Sequence, residues 1–180
     1  MTRIVAREIA VHLLFELNFG GRTAEQVLEG SLTRERFQTL AEEDPLYREF
    51  PNEKQLRYIR ELVQGAYDHR PELDEAISRY AIGWSFSRLP RMAVAAMRCA
   101  MYEMLYMPQI PPAASINAAL EIVKKYEEPE VVSFVNGILG TFVRTEVPQG
   151  SAGGTGPEEP EEETGTEDAP AAAATEEGQG

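Results

Sequence analysis

Apolar side chains recur three and four positions apart along most of residues 1–147, the period of a helix with one buried face and not the alternation of a strand. Ile4 and Val5, Ile9, Leu13 and Leu14, then Leu17 make the first stripe, with Thr2 placed to cap it and Gly20-Gly21 to stop it. Thr23-Ala24-Glu25-Gln26 has the spacing of a capping box and predicts a short helix through Val27 and Leu28. Another stripe runs from Thr33 past Phe37 and Leu40 and ends before Pro45. Asn52 is placed to cap a longer helix that carries Leu56, Ile59, Val63 and Tyr67. Pro71 suits a first helical position, and Leu73, Ile77 and Tyr80 follow it.

The stretch from Met92 to Leu105 is rich in alanine and poor in charge, which predicts a central helix covered on most sides. Pro108, Pro111 and Pro112 stop it, and the helical period resumes from Ser115 to Tyr126. The last stripe, in "SFVNGILGTFV" at 133–143, sets two signals against each other. Asn136-Gly137 between apolar runs is a hairpin signal. Phe134, Val135, Ile138, Leu139, Phe142 and Val143 nevertheless fall in pairs four apart, as a helix requires. A helix here presents Asn136, Gly137, Gly140 and Thr141 as a small opposite face, at a cost of about 1 kcal/mol per glycine relative to alanine. That face suits either tight helix contact within the bundle or close approach of a partner. The pattern as a whole predicts an all-α bundle of about seven helices.

Composition divides the chain. Pro148–Gly180 contains no aromatic residue, no Leu, Ile, Val or Met, and no Lys or Arg, while nine acidic residues lie between Glu158 and Glu177. Such a segment buries too little apolar area to offset its ordering entropy, so residues 148–180 are expected to be a disordered acidic tail following a domain at 1–147. Of the formal charge of −13, the tail supplies −9 and leaves −4 for the domain. An acidic total therefore does not exclude a nucleic-acid partner. Between Phe86 and Tyr126 the residues Arg88, Arg91, Arg98, Lys124 and Lys125 face only Glu103 and Glu121 in sequence, whereas Glu42, Glu43, Asp44 and Glu49 cluster elsewhere.

The same reading finds no catalytic constellation. Cys99 is the only cysteine, which excludes an intramolecular disulfide, and its apolar neighbours predict a buried, inert thiol. His12 reads as a helix-surface or half-buried residue. No glycine loop has the lysine and the strand-to-helix context needed to cradle a phosphate, so no cofactor is expected. No run reaches the roughly 18 apolar residues of a membrane span, and a cytoplasmic protein is expected. Arg3 and Arg7 lie four apart at a helix start, where the macrodipole disfavours cations. They form either a solvated face or a phosphate-contacting edge.

Four segments in order, "AREIAVHLLFEL" at 6–17, "MRCAMYEMLY" at 97–106, "IPPAASINAALEIVKKY" at 110–126 and "FVNGILG" at 134–140, resemble the NusB family of bacterial transcription antitermination factors. The resemblance implies a compact helical domain of two packed subbundles that is not an enzyme. It implies as partners the ribosomal protein NusE and single-stranded boxA-type RNA of ribosomal RNA operons, and RNA polymerase indirectly. On the matching positions, Arg3, Arg7, Phe15 and Phe134 are the expected RNA contacts, basic groups paired with aromatic platforms. Arg88, Arg91, Arg98, Asn136 and Gly137 are the expected partner contacts. The chain departs from the family pattern at Ile4 and Val5, which interrupt an arginine run, and at Ala93, Val94, Ala118 and Gly140, where charged residues are usual. Weak RNA binding by the isolated protein follows from these departures. Two alternatives are a protein-only adaptor that binds NusE, and a NusB-like domain related to ribosomal RNA cytosine methyltransferases, which needs a catalytic domain after it. Monomer and dimer are both compatible with the pattern.

Overall fold

The computed structural model describes residues 1–148, so the expected tail lies, from residue 149 onward, outside the described residues. Within them the chain is all-helical: α1 (Arg3–Glu16), α2 (Ala24–Ser31), α3 (Arg34–Leu40), α4 (Glu53–Asp68), α5 (Arg70–Tyr80), α6 (Arg91–Tyr106), α7 (Pro112–Tyr126) and α8 (Pro129–Glu146). Short 3-10 turns occupy Pro45–Tyr47 and Phe86–Arg88. The described residues hold eight helices, in line with the expected all-α bundle, and Thr33 caps α3 as a helix separate from α2 by accepting from the Arg36 N–H.

The local signals act as the chemistry requires. Thr2 caps α1, and both Thr23/Gln26 and Asn52/Gln55 form reciprocal capping boxes at the starts of α2 and α4. Pro71 sits in the first turn of α5, where a missing N–H costs nothing. The Asn136-Gly137 pair is helical, with no positive φ. Apolar pairs four apart on α8 bury Val135, Ile138, Leu139 and Phe142, and their burial outweighs the hairpin propensity of two residues.

Helix α6 is the axis of the fold. Every residue from Ala93 to Met104 is buried, and α1, α4, α5, α7 and α8 all pack on it. Helices α1 and α4 pack on one side of it, with α2 laid over them, while α5, α7 and α8 pack on the other. Small side chains along α6 (Ala93, Ala95, Ala96, Ala100) let five helices approach one cylinder, and Met97, Met101 and Met104 fill the irregular gaps that remain.

The closest approach uses a glycine the sequence pattern did not single out. A Cβ at Gly65 of α4 would overlap the Tyr102 ring of α6. Gly137 and Gly140 do not serve that purpose. Nothing lies within 4 Å of a Cβ at Gly137, and only the Arg144 side chain of the same helix approaches one at Gly140. Of the two uses open to this small face, tight contact within the bundle is not made there: Gly137 and Asn136 are exposed on the outer face of α8.

Candidate nucleic-acid interface

Arg3 and Arg7 do share a face of α1, but that face is turned towards α4 and α6. Arg7 is buried, and its Nε donates to both oxygens of Glu103 at 3.0 and 3.2 Å. Tyr58 of α4 donates its hydroxyl to the same carboxylate. The pair is out of reach of a phosphate in this arrangement, and the expectation that Arg7 is an RNA contact is corrected on that ground. Burial and the neighbouring Glu103 charge hold the Tyr58 hydroxyl protonated by pushing its pKa up. Arg3, one turn earlier, is half-buried, with its guanidinium 5.6 Å from the centroid of the Tyr58 ring. No acidic side chain among the described residues pairs with Arg3.

The other end of α1 brings Phe15 and Arg91 against one ring, that of Phe19. Phe15 is half-buried and meets Phe19 edge to face at 4.9 Å between centroids. Arg91, at the first position of α6, lies over the Phe19 ring at 4.7 Å. Phe134 packs on Trp84 at 5.0 Å, and Arg88 is exposed in the 3-10 turn between Trp84 and α6. The expected basic group Arg98 is spent internally. It is buried and makes two bonds to Asp74 of α5, Nε–Oδ1 at 2.7 Å and Nη2–Oδ2 at 2.9 Å. Its expected role as a surface partner contact is corrected to that of an internal clamp.

Phe19 and Trp84 were not among the candidates, although both are exposed, at 61% and 39%. For Phe19 the available signal was its place four residues after Phe15, just before the Gly20-Gly21 stop. Glu103 and Tyr58 were missed because nothing local marks a carboxylate on α6 as the partner of an arginine 96 residues away.

His12 is half-buried, as expected, and sits in a polar relay. Tyr126 donates to Glu8 at 2.9 Å, so its oxygen accepts from His12 Nε2–H at 2.7 Å, and His12 Nδ1 then accepts from the Tyr47 hydroxyl at 2.9 Å. Lys125 caps the relay at Glu8, 2.6 Å away. Burial lowers the His12 pKa more than Glu8 and Asp44 raise it, so the ring is neutral near pH 7. The relay ties α1 to α7 and to the 45–47 turn. Cys99 is buried, and desolvation keeps its thiol protonated. Among the described residues no three His, Cys, Asp or Glu side chains gather to hold a metal ion, and no helix is long and apolar enough to cross a membrane.

Residues 5–144 match the NusB family over nearly the whole helical domain. The chain belongs to the NusB family. Transcription antitermination protein NusB of Carboxydothermus hydrogenoformans is 43% identical over 140 residues, which covers 78% of this chain and 91% of the relative. Its counterpart from Thermoanaerobacter sp. is 36% identical over 146 residues, covering 81% and 93%. The structure of T. maritima NusB superposes with a TM-score of 0.68 at 29% identity, covering 83% of this chain and 96% of that one. A NusB crystallised with NusE and double-stranded RNA shares the fold, with a TM-score of 0.62 at 24% identity, and covers 79% and 96%. The helical domain of this NusB-family chain thus matches its relatives along almost their full length.

Proposed function

We propose that this chain is a non-catalytic transcription antitermination factor that binds boxA-type single-stranded RNA together with the ribosomal protein NusE and acts on transcribing RNA polymerase in the cytoplasm. The observation that carries the reading is the family match across residues 5–144, with relatives named as transcription antitermination proteins. The surface supports it with Arg3 on Tyr58 at one end of α1, Phe15 at the other, and Phe134 packed on Trp84, a basic group and aromatic rings of the kind that hold single strands. The exposed outer face of α8, with Asn136 and Gly137, is the proposed contact for the protein partner.

Fluorescence anisotropy with a labelled boxA-type RNA, with and without purified NusE and at two salt concentrations, tests the reading. Weak binding alone and clear enhancement by NusE are expected. A second reading, a protein-only adaptor, is favoured by one observation: Arg7 and Arg98 are both consumed by internal carboxylates, which thins the basic surface. A stable complex with NusE that never raises the RNA signal would select it.

A further inference from the structure

Phe19 is an aromatic ring held out of the core by a built support. Its own N–H bonds to the Glu16 carbonyl at 3.1 Å, which fixes the turn that follows α1. The side-chain amide of Asn18 closes the same turn by donating to the carbonyls of Leu14 at 3.2 Å and Phe15 at 3.0 Å. Arg98 Nη1 in turn donates to the Asn18 side-chain Oδ1 at 3.4 Å, while its Nε and Nη2 bond to Asp74. The buried Arg98, itself paired with the half-buried Asp74, thus braces a turn whose outermost side chain is 61% exposed. Burial of apolar area cannot account for that arrangement, because the ring is left largely in water.

The charge that contacts the ring is positive. Arg91 lies over it at 4.7 Å and Arg88 is exposed one turn earlier, and neither has an ion-pair partner among the described residues. The nearest acid in sequence, Glu16, is neutralised by Arg22. An unneutralised guanidinium on an exposed ring suits a ligand that carries both a flat π face and negative charge. A nucleotide of a single strand has both. An apolar or acidic protein segment would use one of the two features and leave the other unmatched.

We propose that Phe19 and Arg91 form a base-stacking and phosphate-binding subsite for single-stranded RNA at the N-terminal end of α6. The proposal rests on the RNA-binding reading and adds to it a site on residues outside the expected RNA contacts. One base stacks on the open surface of Phe19, and Arg91 pairs with the flanking phosphate while its planar group stays against the ring.

The test uses the full chain with purified NusE and a fluorescein-labelled single-stranded boxA-type RNA. Phe19→Ala is expected to weaken RNA binding about tenfold with the salt dependence unchanged, and Phe19→Trp to retain it. Arg91→Ala is expected to weaken binding and to reduce the slope of log K against log salt by about 0.7, the loss of one phosphate contact. Wild-type protein crosslinked to the same RNA carrying 4-thiouridine, then mapped by mass spectrometry, should place a crosslink on Phe19 or its turn, and this readout does not depend on any variant folding. RNA affinity unchanged in both alanine variants, or no crosslink on residues 18–22, overturns the subsite and leaves the RNA reading standing. Loss of NusE binding in Phe19→Ala without RNA present, at unchanged RNA affinity of the complex, also overturns it and makes the ring a protein contact. If the wild-type complex binds no RNA at either salt, the RNA-binding reading itself fails and the subsite with it.

Discussion

Arg7 of α1 and Glu103 of α6 form a buried ion pair across the centre of the fold, with Nε 3.0 Å from Oε1 and both side chains almost inaccessible to water. The pair joins the first helix to the axis helix, and Tyr58 adds a third helix by donating to the same carboxylate. Its importance lies in satisfaction more than in net attraction. Two charges taken out of water gain little overall, but either one left alone in the core is costly.

Removing one partner should therefore be far worse than removing both. Arg7→Ala is expected to destabilise the domain by about 3–5 kcal/mol, because it strands Glu103 in the core. Arg7→Met combined with Glu103→Leu should recover most of that loss. Urea denaturation of the single and double variants checks this. A lowered RNA affinity in Arg7→Ala would then follow the fraction unfolded and would not report a lost phosphate contact.

The two glycines should respond in opposite senses. Gly65→Ala drives a methyl group into the Tyr102 ring and is expected to cost about 1–3 kcal/mol as that ring is displaced. Gly137→Ala meets open space in the middle of α8 and should stabilise by up to about 1 kcal/mol through helix propensity. Thermal melts of the two variants at one pH separate the cases, and reduced binding of NusE by Gly137→Ala at increased stability would mark the outer face of α8 as a contact.

Acid should loosen the His12 relay. The folded protein holds His12 below its ordinary value of 6.5, so between the two values the unfolded chain binds more protons. Stability therefore falls as pH drops through about 6.5 and levels off once pH is below the folded value. Protonation places a hydrogen on Nδ1, which then faces the Tyr47 hydroxyl proton and forces that hydroxyl to turn. His12→Gln keeps a polar side chain that does not titrate and should flatten this part of the stability profile, measured by urea midpoints between pH 5 and pH 8.

Arg3 offers the cleanest view of the electrostatics. Its guanidinium rests on Tyr58 at a half-exposed site, so Arg3→Ala should change stability by no more than about 0.5 to 1 kcal/mol. The same variant is expected to reduce the salt slope of RNA binding by about 0.7. An unchanged slope would remove Arg3 from the phosphate contacts and favour the protein-only adaptor.

The sequence by itself determined the helices and their ends. A period of three to four, threonine and asparagine at helix starts, and proline at helix boundaries are local properties, and each is satisfied by backbone groups a few residues away. The covered character of α6 was legible for the same reason, since alanines and methionines with hardly a charge leave no face for water. What only the tertiary structure decided is which charges are spent and which remain. Arg3 and Arg7 are one turn apart on one face of α1, yet one stays half-exposed and the other is sealed on Glu103, because α6 crosses that face at Arg7 and not at Arg3. Arg91 and Arg98 divide in the same way, one over an exposed ring and the other clamped on Asp74. The glycine that permits close packing proved to be Gly65 and not Gly137, since the need for a missing side chain is set by the helix lying opposite. Local periodicity fixes which way a residue points relative to its own helix. What it meets there depends on how the other helices pack, and burial and charge pairing, which carry the larger free energies, are settled only at that level.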